Sequence, residues 1–121
     1  MEAKFSQRVK DVFTFSKEEA IRLGNDYIGI EHLFLGLIRE GEGLAVKILS
    51  ILTIDLDNIR RSIERTIKKD NELDRNIQNI PLNKQSEKIL KFTYLEAQSF
   101  KVELISTEHL LLAIYTIQFF D

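Results

Sequence analysis

Along residues 5–23 the side chains Phe5, Val9, Val12, Ser16, Ala20 and Leu23 advance by three or four residues at a time, which predicts one face of a helix. Ser6 can cap its start and Gly24 can supply a left-handed stop, so the helix is expected from about Ser6 to Leu23. The next apolar run is different. "LFLGLI", residues 33–38, is apolar on every side and predicts a short, central, buried helix from about Glu31 to Arg39. The glycines of "REGEG" end it. "LAVKILSIL" then predicts a third helix, and Leu56, Ile59, Ile63 and Ile67 mark a fourth, capped by Asp55, with charged residues on its outer side.

From Lys68 to Ile80 the text turns polar and Pro81 closes it, so a linker is expected at about 68–81, with Ile77 and Ile80 as candidate anchors to the body. A long helix from about Asn83 to Phe100 and a buried one from about Thr107 follow. Those two helices repeat the first two. An offset of 77 aligns residues 5–38 with 82–115 without a gap, and eight of the 34 pairs are identical, among them Phe15/Phe92, Glu19/Glu96, Glu31/Glu108 and His32/His109. Where the first copy continues "REGEGLAVKILSIL", the second reads "TIQFFD". The second repeat is therefore expected to be truncated, with Phe119 and Phe120 lacking a following helix to cover them.

Composition narrows the function classes. The chain of 121 residues is 44% hydrophobic and 30% charged, as expected for one helix-rich globular domain spanning 1–121. Lys+Arg of 17 against Asp+Glu of 19 leaves a net charge of -2, without the basic surplus of a nucleic-acid binder. There is no Cys, which excludes thiolate metal sites and permits a reducing, cytoplasmic setting. "MEAKFSQRVKDVF" lacks the features of a signal peptide, and the longest apolar run is far short of the roughly 20 residues that cross a bilayer. Neither nucleic acid nor membrane is expected as a partner.

"EEAIRLGNDYIGIEHLFLGLIREGEGLAVKIL" and "LEAQSFKVELISTEHLLLAI" together resemble the N-terminal domain of the Clp unfoldases, most nearly the ClpC type, over residues 4 to about 115. The resemblance implies an all-α, pseudo-twofold bundle of duplicated four-helix repeats. On this chain that gives repeat one at about 5–67, the linker at about 68–81 and an incomplete repeat two at about 82–121. It further implies a docking module in front of ATPase rings that feed a ClpP-type protease. Such a module receives adaptors of the MecA type and, in some ClpC proteins, substrates marked by phosphoarginine. Three departures stand out: Ile30 replaces the Thr that usually precedes Glu-His, Ser106 stands where Gly is common, and the second copy lacks its "REGEG" string.

Phosphoarginine joins a planar guanidinium to a dianionic phosphoryl group, so a receptor needs an acid for one end and amide donors for the other. A helix N-terminus with Glu in its first turn offers both. The resemblance assigns this part to Glu31 and Glu108, with Thr107 as a candidate phosphate-side donor. The plainer alternative is that each Glu only complements its helix dipole, at roughly 0.3 to 1 kcal/mol.

His32 and His109 have no partner at metal-ligand spacing, so no metal is expected, and each is read as a half-buried side chain tying a loop carbonyl to a helix start. Arg39, Glu40 and Glu42 are read as exposed and are candidates for an adaptor's rim, or else an ordinary solvated turn. Phe13, Phe15, Phe34, Phe92 and Phe100 are read mainly as core, with Phe15 and Phe92 off the main stripe and facing the partner half or a peptide groove. No Walker motif is present and no cofactor is implied, so the chain is read as non-catalytic. The competing reading is a stand-alone accessory scaffold that attaches to the Clp assembly without receiving substrates. A small hydrolase or metal enzyme is a remote third.

Overall fold

A computed structural model describes residues 3–70 and 79–120, without the side chains of 119 and 120. Its order is β1 (Lys4–Phe5), α1 (Gln7–Arg22), α2 (Ile30–Glu40), α3 (Leu44–Ile51), α4 (Leu56–Ile67), α5 (Lys84–Ser99), β2 (Leu104–Ile105) and α6 (Thr107–Phe120). Helices dominate, as the periodicity predicts. The polar stretch at 71–78, including Ile77, lies outside the described residues, as do the Phe119 and Phe120 side chains.

The helix starts are set by short side chains. Ser6, Asp55 and Asn83 accept from the backbone amides of Val9, Asn58 and Ser86, occupying one otherwise free donor in the first turns of α1, α4 and α5. Gly24 (φ 76°) turns the chain out of α1 in the left-handed region, and Lys101 (φ 58°) makes the same turn after α5 without glycine's freedom. These positions are 77 residues apart.

The strands reveal the symmetry. β1 and β2 run parallel with Phe5 opposite Ile105, while an isolated parallel bridge joins Ile28 to Leu82. Adding 77 to Phe5 gives Leu82, and subtracting 77 from Ile105 gives Ile28. The hydrogen bonds Ser6 N to Ile105 O and Asn83 N to Ile28 O are both 2.9 Å. Each copy thus begins beside the segment that leads into the other copy's second helix, a reciprocal pairing of the kind a twofold axis requires.

One apolar core runs across both copies. Val12, Leu33, Leu37, Ile89, Leu110 and Ile114 belong to a single buried cluster, which Ala45 of α3 joins and against which Ile80 packs. Burial on this scale is the main favourable term in holding the fold together. α1 and α2 approach closely at Gly36, where a Cβ would collide with the Ser16 hydroxyl and lie 2.6 Å from the Val12 carbonyl.

Phe100 departs from its expected place in the core. It is 74% exposed, although its counterpart Leu23 is 1% exposed. The difference is a covering helix: Leu23 and Leu35 lie under Ile63 and Ile67 of α4, and no described residue takes that place over α5 and α6.

Candidate functional site

The two Glu-His pairs both fall in the first turn of a helix, at α2 and α6. The amides of such a turn have no intrahelical acceptor, and the dipole there favours negative charge. Each histidine takes care of one nearby donor. The amide N–H of Gly29 donates to His32 Nδ1 at 2.8 Å, and that of Ser106 donates to His109 Nδ1 at 2.9 Å.

This corrects the expectation for the histidines: each accepts from an amide before its helix rather than binding a loop carbonyl. His32 is also fully buried rather than half-buried, at 0% exposure. Because Nδ1 accepts, the proton sits on Nε2, which donates to Asn25 Oδ1 at 2.8 Å. Asn25 Nδ2 in turn donates to the Ile67 carbonyl at 3.0 Å, tying the end of α4 to the start of α2. Burial, the largest influence, holds the imidazole below its ordinary pKa, against the opposing pull of Glu31 and then Glu19. Asn25 carried no signal in the apolar pattern. The offset does expose it, because its counterpart is Val102.

The two glutamates differ in setting. Glu31 is exposed and lines a shallow groove of about 340 Å³ with Ile30, Phe34, Ile59, Ile63 and Gln85. Its Oε1 lies so near Gly29 that a Cβ there would sit 2.9 Å away. Glu108 is half-buried, and its Oε1 is shielded from solvent without any hydrogen-bond partner. A desolvated carboxylate oxygen with no donor is costly, on the order of 1–3 kcal/mol or more for a charged group. No donor reaches that oxygen among the described residues.

Thr107 is 2% exposed. Its Oγ1 accepts from the Ala45 amide at 3.1 Å and packs against Gly43, so it acts as a side-chain cap for α3 supplied from α6. The remaining candidates also have intramolecular partners. Arg39 pairs with Glu18 at 2.7 Å and with Glu19 at 3.5 Å, and its guanidinium lies 4.5 Å above the Phe15 ring. Glu40 is not exposed as expected: its side chain is 7% exposed, held by Arg8 at 2.8 Å and by the amides of Glu42 and Gly43 at 3.0 and 2.9 Å. Pulling the chain back to form the α3 start buries it. Glu42 is exposed.

Beside Arg39, Arg22 bridges Glu19 and Glu64 at 2.9 and 2.6 Å. Glu19 first, with burial opposing and Glu64 adding, raises that guanidinium above its ordinary range. Among the described residues no group of His, Asp and Glu is arranged to hold a metal, and no helix is long and apolar enough to cross a membrane.

Residues 4–119 match the Clp repeat (R) N-terminal domain family. The chain is 35% identical over 114 residues to "Negative regulator of genetic competence ClpC/MecB" of Bacillus subtilis (strain 168), covering 94% of this chain and 14% of that protein. It is 47% identical over 77 residues to "Chaperone protein ClpC1, chloroplastic" of Arabidopsis thaliana, covering 64% of this chain and 8% of that protein. It is similar in fold to the Hsp104 N-terminal domain from Candida albicans, with a TM-score of 0.77 at 16% identity, covering 95% of this chain and 75% of that one. The N-terminal domain of ClpD from Arabidopsis thaliana gives a TM-score of 0.71 at 21% identity, covering 93% and 76%. These two structural likenesses carry the fold alone.

Proposed function

Because this chain belongs to the Clp repeat N-terminal domain family, we propose that it is the non-catalytic docking domain of an ATP-dependent Clp ATPase subunit. It receives adaptors of the MecA type and protein substrates and passes them, in the cytoplasm, to the ATPase ring and a ClpP-type protease. Its division is repeat one at about 5–67, linker at about 68–81 and repeat two from about 82.

The finer reading is that the starts of α2 and α6 take phosphoarginine, the guanidinium on Glu31 or Glu108 and the phosphoryl group on first-turn amides. The observation that carries it is the shielded, unpartnered Oε1 of Glu108. A cationic guanidinium would supply the donor that oxygen lacks. Thr107 contributes by fixing α3 against the α6 start, through its bond to Ala45. Arg39 and Glu42 lie on the rim open to an adaptor, where charge governs specificity and association rate more than affinity, while Glu40 shapes that rim from beneath.

Calorimetric titration with free phosphoarginine tests this. Saturable binding is expected, reduced at least about tenfold by Glu108→Ala, with arginine and inorganic phosphate as weaker controls. No heat of binding, or binding unchanged in a folded Glu31→Ala/Glu108→Ala protein, rejects the phosphoarginine reading.

A further inference from the structure

The turn between α1 and α2 holds both described ends of the connection between the repeats. The Leu23 carbonyl accepts from the Lys69 amide at 2.9 Å and Asn25 Nδ2 donates to the Ile67 carbonyl at 3.0 Å, so the exit from α4 is fastened to this turn. Further along, the Ile28 amide donates to the Pro81 carbonyl at 2.8 Å and the Ile28 carbonyl accepts from the Asn83 amide at 2.9 Å. These bonds fasten the entry to α5.

His32 fixes the turn at two points. Its Nε2–H donates to Asn25 Oδ1 and its Nδ1 accepts from the Gly29 amide, each at 2.8 Å. Asn25 carries the first fastening and Gly29 is the neighbour of Ile28, which carries the second. Gly29 also packs against the cap of α5, since a Cβ there would lie 3.1 Å from Asn83 Nδ2. One buried ring thus stands behind both ends of the connection. In the second repeat Val102 replaces Asn25, and His109 keeps the counterpart of the Gly29 bond, from Ser106.

This arrangement works in one protonation state. A proton on Nδ1 turns the acceptor into a donor aimed at the Gly29 N–H, and two donors then oppose each other in a site closed to solvent. Glu31 on α2 and Glu19 on α1 favour the imidazolium, although Glu19 is already shared by Arg22 and Arg39, and burial outweighs both. The turn sets the Tyr27 ring edge-on at 5.4 Å, and its Asp26 is exposed. α4 presents the Ile67 carbonyl, its Glu64 being engaged by Arg22 and Arg60, and the α5 start presents the uncharged Asn83 amide.

We infer that His32 is a proton-operated clasp on the join between the repeats: protonating its ring frees the 23–29 turn and both fastenings, while the shared apolar core keeps the helices together. The clasp stands whether or not Glu31 and Glu108 take phosphoarginine.

Amide hydrogen exchange followed by NMR from about pH 8 to about pH 4.5, alongside the His32 Cε1–H shift, tests it. Protection of the Ile28, Gly29, Lys69 and Asn83 amides is expected to fall at least about tenfold along the His32 titration, while the Leu37 and Ile114 amides of the core change less than about threefold. Asn25→Asp, which sets a carboxylate on Nε2–H, moves the titration and the exchange step to higher pH together. His32→Gln removes the step and His109→Gln retains it. Protection lost equally across the core, a step that stays in place when the His32 titration moves, or one that vanishes in His109→Gln overturns the inference. So does a His32 ring that stays neutral until the whole protein unfolds.

Discussion

His32 Nε2 and Asn25 Oδ1 meet at 2.8 Å inside the first repeat, with both residues almost wholly removed from water. Through them a polar chain runs from the Gly29 amide to the Ile67 carbonyl, so the start of α2 and the end of α4 share one hydrogen-bonded unit. Buried polar groups in such a unit are costly when one member is lost. Asn25→Val, which copies the second repeat, should reduce stability by about 2–4 kcal/mol, because both His32 Nε2–H and the Ile67 carbonyl lose a partner. Urea unfolding measures it; a loss below about 0.5 kcal/mol contradicts the chain's importance.

The same histidine sets a pH dependence. Burial lowers its pKa, so the unfolded chain binds a proton on His32 at a higher pH than the folded chain does. The stability contributed by the neutral ring is complete above about pH 6.5 and falls as the pH drops from there toward the folded value. Thermal unfolding between pH 8 and pH 5 should show a decline that flattens in His32→Gln. An unchanged decline in that variant assigns it to other groups.

Lys101 adopts the left-handed turn that Gly24 makes in the first repeat. The non-glycine cost there is roughly 1–2 kcal/mol, partly offset by the greater freedom of unfolded glycine. Lys101→Gly should therefore stabilise the protein by about 0.5–1 kcal/mol, read as a rise in melting temperature. A fall would mean that the Lys101 side chain contributes more than its backbone costs.

Gly43 and Thr107 form a contact with no room for a methyl group. Gly43→Ala should cost about 1–3 kcal/mol by forcing α3 away from α6, and Thr107→Val about 1–2 kcal/mol by leaving the Ala45 amide without its acceptor. Because both act on one contact, the double variant should lose less than the sum. Chemical denaturation of the three proteins checks it; strict additivity would separate the two effects.

Leu35 and Leu112 are identical residues in identical motif positions with opposite surroundings. Leu35→Ala should cost about 2–5 kcal/mol, whereas Leu112→Ala should stay within about 0.5 kcal/mol. Equal losses in denaturant unfolding would mean that the α5–α6 groove is covered in solution.

Much of this architecture is written locally. Ser6, Asp55 and Asn83 cap their helices, and the boundaries at Gly24 and "REGEG" follow from backbone preferences that act over a few residues. The placement of Glu31 and Glu108 in first helical turns follows in the same way. What escaped the pattern were partnerships between distant segments: Thr107 with Ala45, Glu40 with Arg8, and His32 with Asn25. Hydrogen-bonding side chains have several eligible partners, and periodicity does not choose among them.

The sequence by itself determined that a helical unit occurs twice, where its helices start, and that an acid and a histidine stand together at each second-helix start. Tertiary structure alone decided that the copies pair reciprocally through Phe5–Ile105 and Ile28–Leu82, that among the described residues Glu108 keeps an oxygen without a donor, and that α4 covers one trough while no described residue covers its twin. The reason is physical: caps and periodicity depend on neighbours a turn away. Burial depends on whether another element arrives to cover a surface, and identical residues such as Leu35 and Leu112 carry no local mark of that outcome.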